Sequence, residues 1–193
     1  MISHPKLSVK LDTITEPFLG QLFRWRNSPE VFKWCRQNDL INAKSHHAWY
    51  ERQSVDPKIR MYLIREEAGV PVGACGLTDM DFINQRAEFS LYIDPAMQGQ
   101  GYGKQALRLL CWHGFHAYPL KIIWGESFEG NHAVDMFKKV GFQQEGKRRD
   151  FYFREGRHID AILFSIKREE LVLEDDQSFN VVNIRDAMKG FTF

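Results

Sequence analysis

Residues 98–104, Gln-Gly-Gln-Gly-Tyr-Gly-Lys, constrain this chain more than any other stretch. The run before them, Ala87–Ile93, alternates and reads as a strand. Glu88, Ser90 and Tyr92 share one face of it, and Ala87, Phe89, Leu91 and Ile93 the other. Asp94-Pro95 stops the strand. After the glycines, Leu107, Leu110, Cys111 and Gly114 recur at helical spacing. A strand therefore enters the turn and a helix leaves it. Gly99, Gly101 and Gly103 let the main chain turn tightly and approach a ligand closely. The N–H groups opening a helix, with a dipole worth about +0.5 charge, point at whatever sits there. Such a nest suits a phosphate or diphosphate. The competing reading is a plain turn that holds nothing.

The remaining elements follow from the same patterns. Leu7–Thr15 alternates as a strand, and Pro17 opens a helix through Leu22, Phe23 and Trp25 that Asn27-Ser28-Pro29 breaks. Ser45 is the expected N-cap of a second helix through His46 and Trp49 to Gln53. Arg60–Arg65 and Val72–Leu77 form a hairpin, with Gly73 and Gly76 weakening or bending its second arm. Leu120–Trp124 is a strand, and Ala133, Met136, Phe137 and Val140 form a helical stripe closed by Gly141. Arg149–Phe153 and Ile159–Ile166 flank a turn at Glu155-Gly156. This order predicts an α/β, mixed α+β, layout around a mixed sheet.

At 193 residues the length suits one domain, expected over 1–170. Residues 171–193, with the acidic patch Glu174, Asp175 and Asp176, form an extension of unassigned role. Lys plus Arg number 26 against 25 Asp plus Glu. The near-neutral balance, with a pI near 7.8, argues against a nucleic-acid binder, whose domain pI usually exceeds ~9. No stretch approaches the ~18 apolar residues of a membrane span, and Met1–Lys10 lacks the apolar run of a signal peptide. Cys35, Cys75 and Cys111 are few and far apart, which points to reduced thiols in a cytoplasmic protein. His113 and His116 lack an accompanying ligand set, so surface histidines and no metal are expected.

Three phosphate motifs compete for the glycine loop. The P-loop pattern fails, because Gln105 rather than Ser or Thr follows Lys104. The dinucleotide fingerprint fits Gly101–Ala106 superficially, with Glu126 after the next strand. However, Asp94–Gln100 separates it from its strand, and too little chain follows for a doubly wound sheet. The third is a resemblance. Gln98-x-x-Gly101-x-Gly103 resembles the acyl-CoA pyrophosphate loop of the GNAT acetyltransferase superfamily. Asn131 through Gly141-Phe142 is similar to that family's second CoA segment. Glu145-Gly146, Arg149, Gly156 and Asp160 resemble the closing hairpin of its ribosomal-protein and amino-sugar branch. Trp25-Arg26-Asn27 and His46-x-x-Trp49 resemble the nucleotide-amino-sugar N-acetyltransferases of that branch. The likeness covers about residues 7–168.

The resemblance implies a splayed mixed sheet of about seven strands flanked by helices, with strands 88–93 and 120–124 parting into a V. It implies acetyl-CoA as co-substrate. The pantetheine arm would bind the main chain of Leu91, Tyr92 and Ile93. The diphosphate would rest on the loop Gln98, Gly99, Gln100, Gly101, Tyr102, Gly103 and Lys104, with Asn131 as a further ligand. The implied reaction is direct acetyl transfer to a primary amine, such as a nucleotide-linked amino sugar or another small amine. A protein α-amino group and a non-catalytic acyl-CoA-binding module are the alternatives, and a homodimer is compatible with either.

An amine with a pKa of ~10.4 is mostly protonated at pH 7, so something must accept its proton. Glu88 is the candidate base, its bland alternative being a pair with Arg86. A strand N–H near Tyr92 would hold the oxyanion. Phe137 stands where many relatives carry a tyrosine that protonates the leaving thiolate. Solvent can do so instead, because a thiol pKa of ~8.5 makes that protonation favourable. Arg26, His46 and Trp49 are the acceptor-side candidates, since arginine beside aromatics suits a nucleotide diphosphate.

Overall fold

The computed structural model describes residues 2–3 and 9–172. Among the described residues eight strands form one sheet in the order β1-β2-β3-β4-β5-β6-β8-β7. They are β1 (Ile2–Ser3), β2 (Val9–Thr13), β3 (Arg60–Glu66), β4 (Pro71–Asp81), β5 (Arg86–Ile93), β6 (Ile122–Phe128), β7 (Gln143–Arg154) and β8 (Arg157–Lys167). The helices are α1 (Leu19–Asn27), α2 (Pro29–Phe32), α3 (Ala43–Val55), α4 (Tyr102–Ala117) and α5 (Ala133–Val140). Apart from the two-residue β1, this is the mixed seven-strand layout the sequence predicts. Strands β1 to β5 run antiparallel, α4 crosses over to the parallel β6, and the β7–β8 hairpin closes the far edge.

The fork in the sheet has a local cause. Strands β5 and β6 pair only at Arg86 with Ile122, Ala87 with Ile123 and Glu88 with Trp124. Both continue, to Ile93 and Phe128, without pairing further. At the branch, a Cβ on Gly125 would lie 2.4 Å from the ring of Phe89. The Phe89 ring thus fills the space of the missing side chain and packs edge-on against Phe137 and Phe142. The open edges are therefore 89–93 and 125–128, later on the second strand than the expected 120–124. Gly125→Ala is expected to push on this ring and cost about 1–3 kcal/mol of stability, as overpacking does. Denaturant unfolding checks it, and an unchanged midpoint would remove Phe89 as the wedge.

Alternation along β5 sends Phe89 into the core under α4 and α5 and Tyr92 into the one under α1 and α3. Gly73 and Gly76 do something other than weaken β4. A Cβ on Gly76 would sit 2.4 Å from the Arg60 carbonyl, and one on Gly73 2.4 Å from the Tyr92 carbonyl. Both glycines admit a close approach of neighbouring strands.

Two local expectations are corrected. The N-cap of α3 is Asn42, whose Oδ1 accepts the Ser45 N–H at 2.8 Å, so Ser45 lies inside the helix. Both residues are good caps, and Asn42 comes first. His113 is buried, 3.1 Å from the Tyr62 hydroxyl, and burial lowers its pKa to about 4, leaving it neutral rather than at the surface. Among the described residues no His, Cys, Asp or Glu group is arranged to hold a metal ion. No described helix is long and apolar enough to cross a membrane. Cys35, Cys75 and Cys111 are free thiols, and Cys75 and Cys111 are buried. Leu171 packs on the core and the Val172 N–H donates to the Val140 carbonyl. The acidic patch of the extension, and the start of the expected first strand, lie outside the described residues.

Candidate active site

The glycine loop forms because each bend has its own stop. Asp94 Oδ1 accepts the Ala96 N–H at 3.0 Å, capping the short turn Pro95–Met97. Gln98 Nε2 donates to the Ile93 carbonyl at 3.2 Å, tying the loop to its strand. Gly99 and Gly101 then take φ of +77° and +89°, a region costly for any residue with a side chain. Among the described residues, the N–H groups of Gly99, Gln100, Gly101, Tyr102 and Gly103 donate to no protein acceptor. An added Cβ on Gly99 or Gly101 would meet nothing within 4 Å. Unpaired amides beside open space are what an anion nest requires.

Except for Gln100, these residues border a cavity of about 620 Å³ that runs into the fork. Gly99, Gly101, Gly103 and Lys104 line one end, and Leu91, Tyr92, Ile93 and Glu88 the strand side. Main-chain groups alternate in direction along an antiparallel strand. The Asp94 N–H bonds Val72 on the β4 side, and the Tyr92 carbonyl faces Gly73 of β4. Leu91 and Ile93 therefore turn their main chain to the open edge, while Tyr92 turns its own away. This corrects the expectation that Tyr92 offers main-chain groups to the cofactor. Gln100 does not line the cavity, because its side chain folds back towards Ala96 and Met97.

The second expected segment is built differently from expectation. Asn131 lines the cavity, but its Oδ1 accepts the Ala133 N–H and its Nδ2 donates to Ser127 Oγ at 2.9 Å. These bonds hold it beside the start of α5, leaving one side-chain N–H for any ligand. Phe137 is buried and packs edge-on with Phe89 and Phe164, so it is a core residue. The Tyr102 hydroxyl donates to Glu66 at 3.0 Å, a bond that holds it as a hydrogen-bond donor elsewhere.

Glu88 is 4% exposed and faces the same cavity. Its partner is not Arg86, which pairs with Asp81. Arg36 reaches over instead, placing Nη2 2.8 Å from Glu88 and Nη1 3.2 Å from Glu126. Burial raises the Glu88 pKa above the ordinary carboxylate value, and Arg36 offsets part of that rise. Glu126 accepts further bonds from Arg148 and from the Tyr152 hydroxyl. Arg36 lies on the irregular segment after α2, and Arg154 of β7 clamps that segment. The Arg154 guanidinium donates to the carbonyls of Phe32 and Gln37 and to Asn38 Oδ1, and covers the Phe32 ring. Neither Arg36 nor Arg154 carries a sequence signal, since no periodicity joins residues 52 to 122 positions apart.

A family profile described as an acetyltransferase (GNAT) domain matches residues 9–143. The chain belongs to the GNAT acetyltransferase family. GNAT enzymes use acetyl-CoA to acetylate amines, and this chain is an N-acetyltransferase of that kind. It is 25% identical over 170 residues to a spermidine N(1)-acetyltransferase of Escherichia coli K12, covering 86% of this chain and 90% of that protein. It is 30% identical to an uncharacterized N-acetyltransferase of Bacillus licheniformis, over 77% of this chain and 86% of that one. Its fold matches the crystal structure of a Vibrio cholerae spermidine N-acetyltransferase in complex with CoA and spermine. The TM-score is 0.80 at 20% identity, covering 84% of this chain and 97% of that one.

In this GNAT chain the acceptor-side candidates come together. Arg26, His46 and Trp49 line a second cavity of about 460 Å³ with Gln37, Ser90 and Tyr92. His46 lies against the Trp49 ring at 5.2 Å and the Phe23 ring at 5.7 Å. Burial, then the charge of Arg26, lowers the His46 pKa, which keeps it neutral near pH 7.

Proposed function

We infer that this chain moves an acetyl group from acetyl-CoA to the primary amine of a small acceptor by direct attack in the fork. One observation carries the reading: unpaired loop amides and a buried carboxylate face one continuous cavity in a split sheet. The amides from Gly99 to Lys104 take the diphosphate, tethered by Gln98, and the open edge at Leu91 and Ile93 takes the pantetheine arm. The acceptor enters past Arg26, His46 and Trp49. Glu88 accepts a proton from the ammonium, directly or through water. The amine nitrogen then bonds to the thioester carbon, and a main-chain N–H of the open edge meets the oxyanion. The C–S bond breaks, the attacking nitrogen gives up its second proton to water as the amide forms, and the thiolate takes a proton from solvent. Residues 1–170 act as one unit in the cytoplasm, where free thiols such as Cys35 persist.

A polyamine acceptor is the second reading, favoured by the names of the relatives. A nucleotide-linked amino sugar and a protein N-terminus are further candidates. A CoA-release assay against polyamines, peptides and nucleotide amino sugars separates them. Saturable release with one class and none with the others is expected. Tight acetyl-CoA binding without release for any amine would instead support a binding module.

A further inference from the structure

We propose that the second cavity is an anion-recognising acceptor subsite, in which Arg26 takes the carboxylate or phosphate of the molecule whose primary amine is acetylated. The proposal rests on the acetyltransferase reading above and names the class of its acceptor.

The two cavities share Arg26, Ser90 and Tyr92, so a ligand in the second reaches the fork beside Glu88. Arg26 donates Nη2 to Gln37 Oε1 at 2.7 Å and Nη1 to Cys35 Sγ. Neither partner is a carboxylate. Among the described residues no carboxylate lies within ion-pair distance of it, whereas Arg36, Arg65, Arg86 and Arg148 each have one. Burial lowers the Arg26 pKa, Tyr92 opposes that, and Arg36 and Arg154 lower it further. Arg154 adds to the excess, because its own partners are carbonyls and an amide oxygen. His46 contributes no compensating charge, being neutral.

The acidic groups nearby do not fill the deficit. Glu88 and Glu126 are met by Arg36 and Arg148. Asp39 and Glu30 line the cavities as exposed residues, where water and salt screen them. Lys33 adds positive charge at the first cavity. A half-buried fork of N–H donors lacking an anion suits a planar carboxylate or a phosphate. A polyamine would instead bring a second ammonium against a desolvated guanidinium, so its selection here is disfavoured.

The test uses the full chain saturated with CoA and matched probes that differ only in the anion. These are glucosamine against glucosamine 6-phosphate, and β-alanine amide against β-alanine, with spermidine as the polycation. Calorimetry is expected to show at least about tenfold tighter binding for the anionic member of one pair, as charge-assisted bonds allow. The pair that responds tells phosphate from carboxylate. Arg26→Gln is expected to erase the difference, and Arg26→Lys to restore part of it, with CoA affinity unchanged in both. Equal affinity within both pairs, tighter spermidine binding, or a preference that survives Arg26→Gln would overturn the proposal. Failure of CoA itself to bind would overturn the underlying acetyltransferase reading instead, and so separates the two.

Discussion

Glu88→Gln is expected to lower kcat by about 10²–10⁴-fold, the usual contribution of a positioned general base, with acetyl-CoA affinity unchanged. Glutamine keeps the shape of the side chain at this buried position but cannot accept the ammonium proton. The pH dependence gives the sign. A base works only when deprotonated, so kcat rises with pH through the Glu88 pKa. Burial lifts that pKa above 4.5, which places the rise above the ordinary carboxylate range. Arg36 favours the ionised form, so Arg36→Gln should move the rise to still higher pH. In Glu88→Gln this limb should vanish. Stopped-flow or steady-state CoA release across pH checks both, and a Glu88→Gln profile matching wild type would remove Glu88 from the mechanism.

Gly101→Val is expected to raise the acetyl-CoA dissociation constant about 100-fold or more, because charge-assisted bonds of about 1.5–3 kcal/mol each are lost. Gly101 holds φ at +89°, and a branched side chain would stand in the open space beside the unpaired amides. It would also strain the backbone by about 1–3 kcal/mol. Gly156 separates the two effects. It has φ of +78° in the β7–β8 turn and open space around it. Gly156→Val should carry similar strain and leave cofactor affinity alone. Calorimetric titration of both variants reads the difference. Equal loss of affinity in both would assign the effect to stability rather than to the loop.

The loop, its strand and its helix were legible because glycine spacing and alternation are local signals. Gly99 and Gly101 adopt the left-handed backbone that glycine alone takes cheaply, and Phe137 joins the core as its helical stripe implies. The candidates Arg26, His46 and Trp49 line one cavity. What the sequence hid was long-range. Arg36 meets Glu88 from an irregular segment that Arg154, more than a hundred positions later, helps to hold in place. The direction of the Tyr92 main chain depends on its pairing with β4, which residue alternation alone does not fix. The fork point depends on one ring facing one glycine across two strands, Phe89 and Gly125.

Amide resonances of ¹⁵N-labelled protein titrated with CoA test the main-chain grip most directly. Gly99, Gly101, Tyr102 and Gly103 should shift on binding, together with Leu91 and Ile93 on the open strand edge, while Gly156 stays still. Saturable binding that leaves the loop amides unmoved would contradict it.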